Sequence, residues 1–435
     1  MSETESTVKS SWFWIYATFN CGIVALFCVY EFILRVLPGG MNHPLMRDFH
    51  TQADGIGLMS SAFFIAYAIM QIPVGVLYDC FSARSLLTIA MSVCAIGLAV
   101  FSASQTLWLA VISRVLMGGG ASFAVVGTFI LIGRWFPKEY FPFGTGLVQF
   151  MCAAGAIVGQ WPISRLIMLG FQWRAISWVI VIVGLLLALF YFLVVRDYPD
   201  SQQSEVTYQA PRLRKLLRII AIILSNKNNW LIAGYACFIW APISLLSAMW
   251  GSSFLSVLYG IKDAHASFAI AFSWAGVAVG SPIIGWLAKQ IHSEFMFLIL
   301  CPTLSLLSVC LMLYVPGIPF YGACALLFLF GFAAGALPLS FDLIKGNNSF
   351  RVVGTAIGFN NMAVVAGGSV FQFLIGVFLK LSWDGQFNGQ VPAYTVADYD
   401  WALAVLPISS ILCILLALAL KNNKAIEKQG DSDYA

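Results

Sequence analysis

Long apolar segments separated by short polar ones run through almost the whole 435-residue chain. A helix needs about 20 predominantly apolar residues to cross the hydrocarbon core of a bilayer. Segments of this kind are predicted at residues 13–39, 55–78, 86–104, 107–132, 143–169, 175–195, 229–258, 265–287, 294–314, 319–343, 353–379 and 400–420. The pattern therefore predicts an all-α membrane protein with twelve transmembrane helices, which we number spans 1 to 12.

One long polar connection divides these spans into two groups of six. We predict an N-terminal six-helix bundle over residues 1–195, a linker over 196–228, a C-terminal bundle over 229–421 and a polar tail over 422–435. The linker contains the basic stretch Arg212-Leu-Arg-Lys-Leu-Leu-Arg218. We interpret this stretch as an amphipathic helix on anionic headgroups, with a regulatory surface as the alternative.

The distribution of basic residues predicts which way the chain crosses the membrane. With the N-terminus inside, the outer loops hold only Arg47, Arg174, Lys262 and Lys380, and the spans hold Arg35, Arg114 and Arg165. The rest of the 23 lysines and arginines fall on the inner side. Because cytoplasmic loops carry an excess of Lys and Arg, both termini are predicted to be cytoplasmic. The N-terminus lacks the basic n-region and the cleavage site of a signal peptide, so span 1 is expected to be retained.

Composition agrees with a membrane protein and argues against several other classes. Hydrophobic residues make up 60% of the chain and charged residues 10%, against roughly 45–50% and 25% in soluble proteins. The scattered basic residues do not form a nucleic-acid-binding surface. The ten cysteines and four histidines show no metal-ligand spacing, so we expect no metal and no bound cofactor.

Charged side chains inside the predicted spans are the main candidates for a functional site. Glu31 and Arg35 lie one helical turn apart in span 1, and Arg114 lies in span 4. Charges in hydrocarbon are costly and usually functional. Glu31 could bind a proton or a substrate amine, and the two arginines could hold a carboxylate. The alternative is a Glu–Arg cluster that only locks the helices together. Arg165, near the end of span 5, is expected to extend to the membrane surface.

The C-terminal half offers polar candidates and few charges. Trp240 precedes Pro242 in span 7, and a proline within a span opens backbone carbonyls. Asn360 and Asn361 in span 11 could bind polar substrate groups, although Asn360 could also simply bridge two helices. In span 10 we expect Asp342 and Lys345 to form a gate pair at the inner end.

Three short motifs resemble the major facilitator superfamily of transporters. Gly75-Val-Leu-Tyr-Asp79-Cys-Phe-Ser-Ala-Arg84 resembles the family segment after span 2, with Cys80, Ser82 and Ala83 replacing the usual residues. Arg114-Val-Leu-Met-Gly-Gly-Gly120 and Gln172-Trp-Arg174 resemble two further family segments. The resemblance implies two six-helix bundles related by pseudo-two-fold symmetry, with Asp79 and Arg84 at a gate. It is supported mainly in the N-terminal half, because Gly285-Trp-Leu-Ala-Lys289 carries lysine where the second copy would have aspartate.

The resemblance also indicates where the charged residues lie. Glu31 and Arg114 are each about five residues, roughly 7 Å, from the middle of their spans towards the same side. Spans 1, 4, 7 and 10 line the central cavity in this superfamily, so the resemblance implies that Glu31 and Arg114 can face each other there.

A transporter working by alternating access is the function that the resemblance implies. The segment Tyr30–Met41 is similar to a bacterial branch related to lysosomal dipeptide transporters and to phagosomal nutrient importers. This favours proton-coupled uptake of an amino acid or short peptide by a monomer in the bacterial inner membrane. An organic-anion or carboxylate-siderophore transporter is the alternative, and a channel or receptor is the competing class. No catalytic motif indicates an enzyme.

Overall fold

The computed structural model describes residues 11–137, 141–198, 213–291, 293–349, 352–388 and 391–422. Within these ranges the chain is almost entirely helical, with one π-helical segment and one antiparallel β-hairpin. The elements are α1 (Ser11–Gly40), α2 (Asn42–Asp48), α3 (Ala53–Cys80), α4 (Ala83–Ala103), α5 (Leu107–Ala121), α6 (Phe123–Trp135), α7 (Phe141–Met168), α8 (Trp173–Val194), α9 (Leu213–Ser225), α10 (Lys227–Pro242), the π-helical segment (Ile243–Trp250), α11 (Gly251–Tyr259), α12 (Asp263–Ile291), α13 (Glu294–Tyr314), α14 (Phe320–Ala334), α15 (Leu337–Gly346), α16 (Val353–Ser382), β1 (Phe387–Asn388), β2 (Val391–Pro392), α17 (Val396–Ala402) and α18 (Val405–Lys421).

Twelve helical stretches are long and apolar enough to cross a membrane, which confirms the predicted fold class. Spans 4, 7, 10 and 12 are each built from more than one helix, and the remaining spans are single helices. An even number of antiparallel spans brings residues 11 and 422 to one end of the bundle. We call this the terminal end, and the opposite end, which carries α2 and the β-hairpin, the distal end.

The predicted domain boundaries remain a prediction, although the linker does contain a helix. Helix α9 begins at Leu213, within the basic stretch singled out above, and runs to Ser225 at the start of span 7. Residues 1–10, 199–212 and 423–435 lie outside the described residues. The first half of the linker and nearly all of the predicted tail therefore cannot be compared with the structure.

The two groups of six spans pack their helices in the same way, which the sequence motifs alone did not indicate for the C-terminal half. A Cβ atom on Gly118 of span 4 would lie well inside 3.0 Å of the Phe63 carbonyl oxygen of span 2. A Cβ atom on Gly331 of span 10 would meet the Ser273 carbonyl of span 8 equally closely. The glycines lie about eleven residues, and their partners about ten, into the respective spans, as expected of structural repeats. Close backbone contact at small residues is the usual packing of membrane helices.

Polar contacts between the two halves are concentrated at the distal end. Asn42 donates to the Ser253 hydroxyl (2.9 Å), Ser252 donates to the Gly39 carbonyl (2.8 Å), and the hydroxyls of Ser164 and Ser267 are 2.9 Å apart. The Tyr394 hydroxyl accepts a hydrogen bond from the Ala53 amide (3.1 Å), Lys380 pairs with Asp54 (2.8 Å), and His43 pairs with Asp263 (2.6 Å). We call these twelve residues the distal interface. The distal end is therefore closed in this conformation.

Span 7 changes its helical geometry where it meets span 1. Pro242 ends α10, and the next eight residues form the π-helical segment. The Gln372 side chain of span 11 donates to the buried Ser244 carbonyl (2.7 Å), as expected where helical hydrogen bonding is interrupted. The Ala248 carbonyl packs so closely on Gly39 that a Cβ atom there would clash. π-Helical turns are uncommon and occur often at functional sites.

Candidate functional site

The three charged residues predicted inside spans 1 and 4 are the charged side chains buried in the described part of the chain. Glu31 and Arg114 are fully buried and Arg35 is 5% exposed. Arg35 forms an ion pair with Glu31 one turn away, through one guanidinium nitrogen and one carboxylate oxygen. The second oxygen of Glu31 has no hydrogen-bond partner among the described residues. The buried charges thus comprise two cations and one anion.

Arg114 shares the level of this pair but contacts the backbone of span 1. Its guanidinium donates to the carbonyls of Leu34 (2.5 Å) and Arg35 (3.4 Å), and it lies 4.5 Å from the centre of the Phe63 ring. The predicted common level of Glu31 and Arg114 along their spans is therefore consistent with the structure. The partners differ, however, because Arg114 is bonded to main-chain oxygens and Glu31 is paired with Arg35. A guanidinium held by neutral carbonyls keeps its full charge, so Arg114 adds positive potential to the site.

Aromatic rings that were not evident as site residues from the sequence surround the Arg35 guanidinium. The guanidinium carbon lies 4.3 Å from the ring centre of Phe32, 4.8 Å from that of Tyr67 and 5.5 Å from that of Phe64. Cation–π contacts of this kind stabilise a desolvated guanidinium without neutralising it. The signal available in the sequence was the aromatic spacing in span 2, which is equally typical of simple helix packing.

The Phe32 ring links this cluster to the C-terminal half. Trp274 of span 8 packs edge-on against Phe32 with ring centres 5.9 Å apart, and Trp240 of span 7 packs against Trp274 at 6.4 Å. The indole nitrogen of Trp274 is buried and has no acceptor among the described residues. Trp240, a candidate from the sequence, is therefore linked to the site through Trp274.

The two asparagines of span 11 have different partners, and neither contacts the charged cluster. Asn360 is fully buried and donates to the Ser340 hydroxyl of span 10 (3.0 Å), which is the helix-bridging role considered above. Asn361 donates to the Gln71 side chain of span 2 (2.7 Å) and so joins the two halves nearer the terminal end. Both residues hold helices in place in this conformation.

Three of the four predicted gating residues, Arg84, Asp342 and Lys345, have described side chains, and their contacts with described residues lie within their own halves. The Arg84 guanidinium bonds to the Phe192 carbonyl of span 6 within its own half. Asp342 and Lys345 are exposed, and both Lys289 and Lys345 are near enough to interact with the Asp342 carboxylate. The side chain of Asp79 lies outside the described residues. Their role as a gate stays a prediction.

Two aspartates that the sequence analysis did not consider organise the loop ends. Asp197 accepts hydrogen bonds from the backbone amides of Ala83 (2.7 Å) and Arg84 (2.8 Å) and so caps the start of span 3. Asp48 accepts from the side chains of Trp173 (2.9 Å) and Arg174, the pair noted in the Gln-Trp-Arg turn. Burial opposes ionisation of Asp48, but hydrogen bonds from Trp173, Arg174 and Arg47 outweigh it and lower its pKa. The sequence did not indicate that Asp48 accepts hydrogen bonds from the motif residues Trp173 and Arg174.

Two repeated six-helix halves, joined at one end around buried charges, define a membrane transporter. The chain belongs to the Major Facilitator Superfamily, whose family model matches residues 23–372. This confirms the resemblance drawn from the motifs and establishes a multi-pass membrane protein of the transporter class. The finer resemblance of residues 30–41 stays a prediction.

Proteins similar in sequence to this chain are named as transporters of different compounds. The chain is 24% identical over 381 residues to the phosphoglycerate transporter protein of Salmonella typhimurium, an alignment that covers 79% of each chain. It is 23% identical over 415 residues to the chloroplastic ascorbate transporter of Arabidopsis thaliana, covering 88% of this chain and 74% of that one. The fold matches a crystal structure of a bacterial homologue of the human lysosomal transporter Spinster, inward-facing and unoccupied. The TM-score is 0.72 at 14% identity, over 96% of this chain and 98% of that one.

Proposed function

We propose that this protein is a secondary transporter of small organic anions, with Arg35 as the main substrate contact. The observation that carries the proposal is the excess of positive charge in the buried cluster, which contains two guanidinium groups, Arg35 and Arg114, and one carboxylate, Glu31. An uncompensated buried charge is costly. A carboxylate or phosphate substrate would supply the missing negative charge and would match the forked donors of a guanidinium.

The remaining polar groups of the cluster suit the same ligand. The unpartnered Trp274 indole nitrogen lies in the half opposite Arg35, and an anion held by both would draw the halves together. Arg114 would contribute its field from behind span 1 without direct contact, since its guanidinium is fully buried. The phosphoglycerate and ascorbate transporters among the relatives handle substrates of this chemistry, which supports the proposal.

Glu31 is the group that we assign to proton coupling. A substrate anion at Arg35 would compete with the Glu31 carboxylate for the same guanidinium. A carboxylate that loses its cationic partner in a buried site is protonated more readily. Substrate binding and protonation would thereby favour each other, as co-transport of an anion with a proton requires.

The proposal extends to orientation and direction. We place both termini in the cytoplasm on the basis of the Lys and Arg distribution, so the closed distal end faces outwards and the described conformation is inward-facing. We propose uptake by a monomer in a bacterial inner membrane. Amino acids or short peptides are the second candidate, because Glu31 could also hold a substrate amine once Arg35 has turned to a carboxylate.

Ligand-induced stabilisation of the purified protein tests the substrate class. We expect 3-phosphoglycerate, ascorbate or related hydroxy acids to raise the apparent melting temperature, because a ligand at 100 times its Kd stabilises the native state by about 2.7 kcal/mol. The Arg35→Gln variant should lose this response. Arg165→Gln is the matched control, because Arg165 is also an arginine within a span but is exposed and donates to the Met168 sulfur.

Other results of the same panel would change the assignment. Stabilisation by amino acids or dipeptides alone would favour the zwitterion reading. Anion-induced stabilisation that survives Arg35→Gln would contradict the proposed site. Uptake of the stabilising compound by proteoliposomes, driven by an inward proton gradient, then tests coupling and direction.

A further inference from the structure

The His43–Asp263 pair connects the two halves at the distal end and is unlike the other polar contacts there. His43 lies in α2, directly after span 1, and Asp263 is the first residue of span 8. The Nδ1 atom of His43 is 2.6 Å from a carboxylate oxygen of Asp263, and both side chains are more than one-third exposed. The pair is thus in contact with the medium on the distal side and lies across the surface along which the halves separate.

Histidine is the residue type in the distal interface that changes charge near neutral pH. Three other contacts join amide and hydroxyl groups, and Lys380–Asp54 joins a lysine with an aspartate. The Tyr394 hydroxyl could titrate only in strong base, because burial raises its pKa to about 12. The strength of the distal interface therefore depends on pH, between about pH 5.5 and about pH 8, through His43.

We propose that His43 and Asp263 form a proton-dependent latch, in which protonation of His43 holds the distal end closed and deprotonation favours its opening. The inference rests on alternating access and not on the identity of the substrate. It assigns to the distal surface a proton-sensing role separate from that of Glu31. If the distal end faces outwards as proposed, the latch responds to external pH.

Among the charged groups near His43, Asp263 is the one that pairs with it. On its own helix Arg47 is exposed, and Asp48 is occupied by Trp173 and Arg174. On the neighbouring elements, Asp54 pairs with Lys380, Asp398 caps α17 through Thr395, and Lys262 and His265 are exposed. Partial burial lowers the pKa of His43, but the hydrogen bond to Asp263 and the charge of Asp263 outweigh it and raise the pKa overall.

The sign of the effect follows from this pKa. When the halves separate, His43 loses Asp263, so its pKa is higher in the closed conformation than in the open one. The latch is fully present below the open-state pKa and is lost as pH rises through the closed-state pKa. A pKa difference of about one between the two conformations changes the closing equilibrium about tenfold.

Thiol labelling at a buried position of the distal interface measures its opening. Ser164→Cys places a thiol in span 5 against Ser267 of span 8, in a background where the partly exposed Cys80, Cys237 and Cys310 are serine. Asn388→Cys on the exposed distal hairpin serves as reference, because thiol reactivity itself varies with pH. We expect the labelling rate of residue 164 relative to residue 388 to rise about three- to tenfold from about pH 5.5 to about pH 8.

Four variants decide whether the pair causes this change. His43→Gln and Asp263→Asn should each make the labelling ratio independent of pH, and His43→Lys should keep it low throughout because the lysine stays cationic. His265→Gln, which changes another distal but exposed histidine, should leave the pH dependence intact. A pH dependence that persists in His43→Gln, or a ratio that falls as pH rises, would overturn the proposal. An apparent melting temperature close to that of the unmodified protein verifies that each variant is folded.

Discussion

Arg35→Gln is expected to abolish transport and to lower the free energy of unfolding by about 3–5 kcal/mol, because it leaves the buried Glu31 carboxylate without a cation. The neighbouring rings cannot replace the guanidinium, because Phe32 has no polar donor and the neutral Tyr67 phenol cannot supply the lost positive charge. The stability loss is measured as a fall in apparent melting temperature of the purified protein, and transport as uptake into proteoliposomes.

The double variant Glu31→Gln/Arg35→Gln separates the two roles of the pair. Replacing both partners removes the uncompensated charge, so we expect stability to return close to that of the unmodified protein. Transport should remain absent, because the substrate contact and the proposed proton site are both lost. A double variant that is stable and transports normally would show that the Glu–Arg cluster serves only to lock the helices together.

Gly118→Ala and Gly331→Ala are expected to be the most damaging small substitutions, each destabilising the protein by at least about 2 kcal/mol. In both cases the added methyl group would overlap a backbone carbonyl of the neighbouring span, and a backbone cannot rotate away as a side chain can. The affected helix pairs, spans 2 and 4 and spans 8 and 10, would have to separate. Apparent melting temperature and the folded yield after detergent extraction report the effect.

Two glycines with open surroundings, one in each half, provide controls for these two positions. A Cβ atom on Gly119 or Gly285 would have no atom within 4 Å. Gly119→Ala and Gly285→Ala should therefore be neutral or stabilising by about 0.5–1 kcal/mol, since alanine favours a helix over glycine. Equal effects at Gly118 and Gly119 would contradict the close packing of spans 2 and 4. Loss at Gly118 without loss at Gly331 would contradict equivalent packing in the two halves.

The sequence predicted which charged residues belong to the candidate site, but it did not predict which groups they contact. Glu31 and Arg35 were recognisable because a charge in an apolar segment is unusual, and their spacing of four residues already placed them on one helix face. The partner of Arg114 was not predictable, since a backbone carbonyl carries no signal in the sequence. Trp274 was missed because aromatic residues are common in every span.

The sequence by itself determined the twelve spans, the division into two halves and the family, because hydrocarbon imposes a length and an apolar composition that each segment shows separately. It also located the buried charges. Only the tertiary structure decided which side chains meet across different spans. It paired Asn361 with Gln71, bonded Arg114 to the Leu34 carbonyl and brought His43 to Asp263. Such contacts join residues far apart in the chain, and their geometry depends on how the helices pack, which no local pattern records.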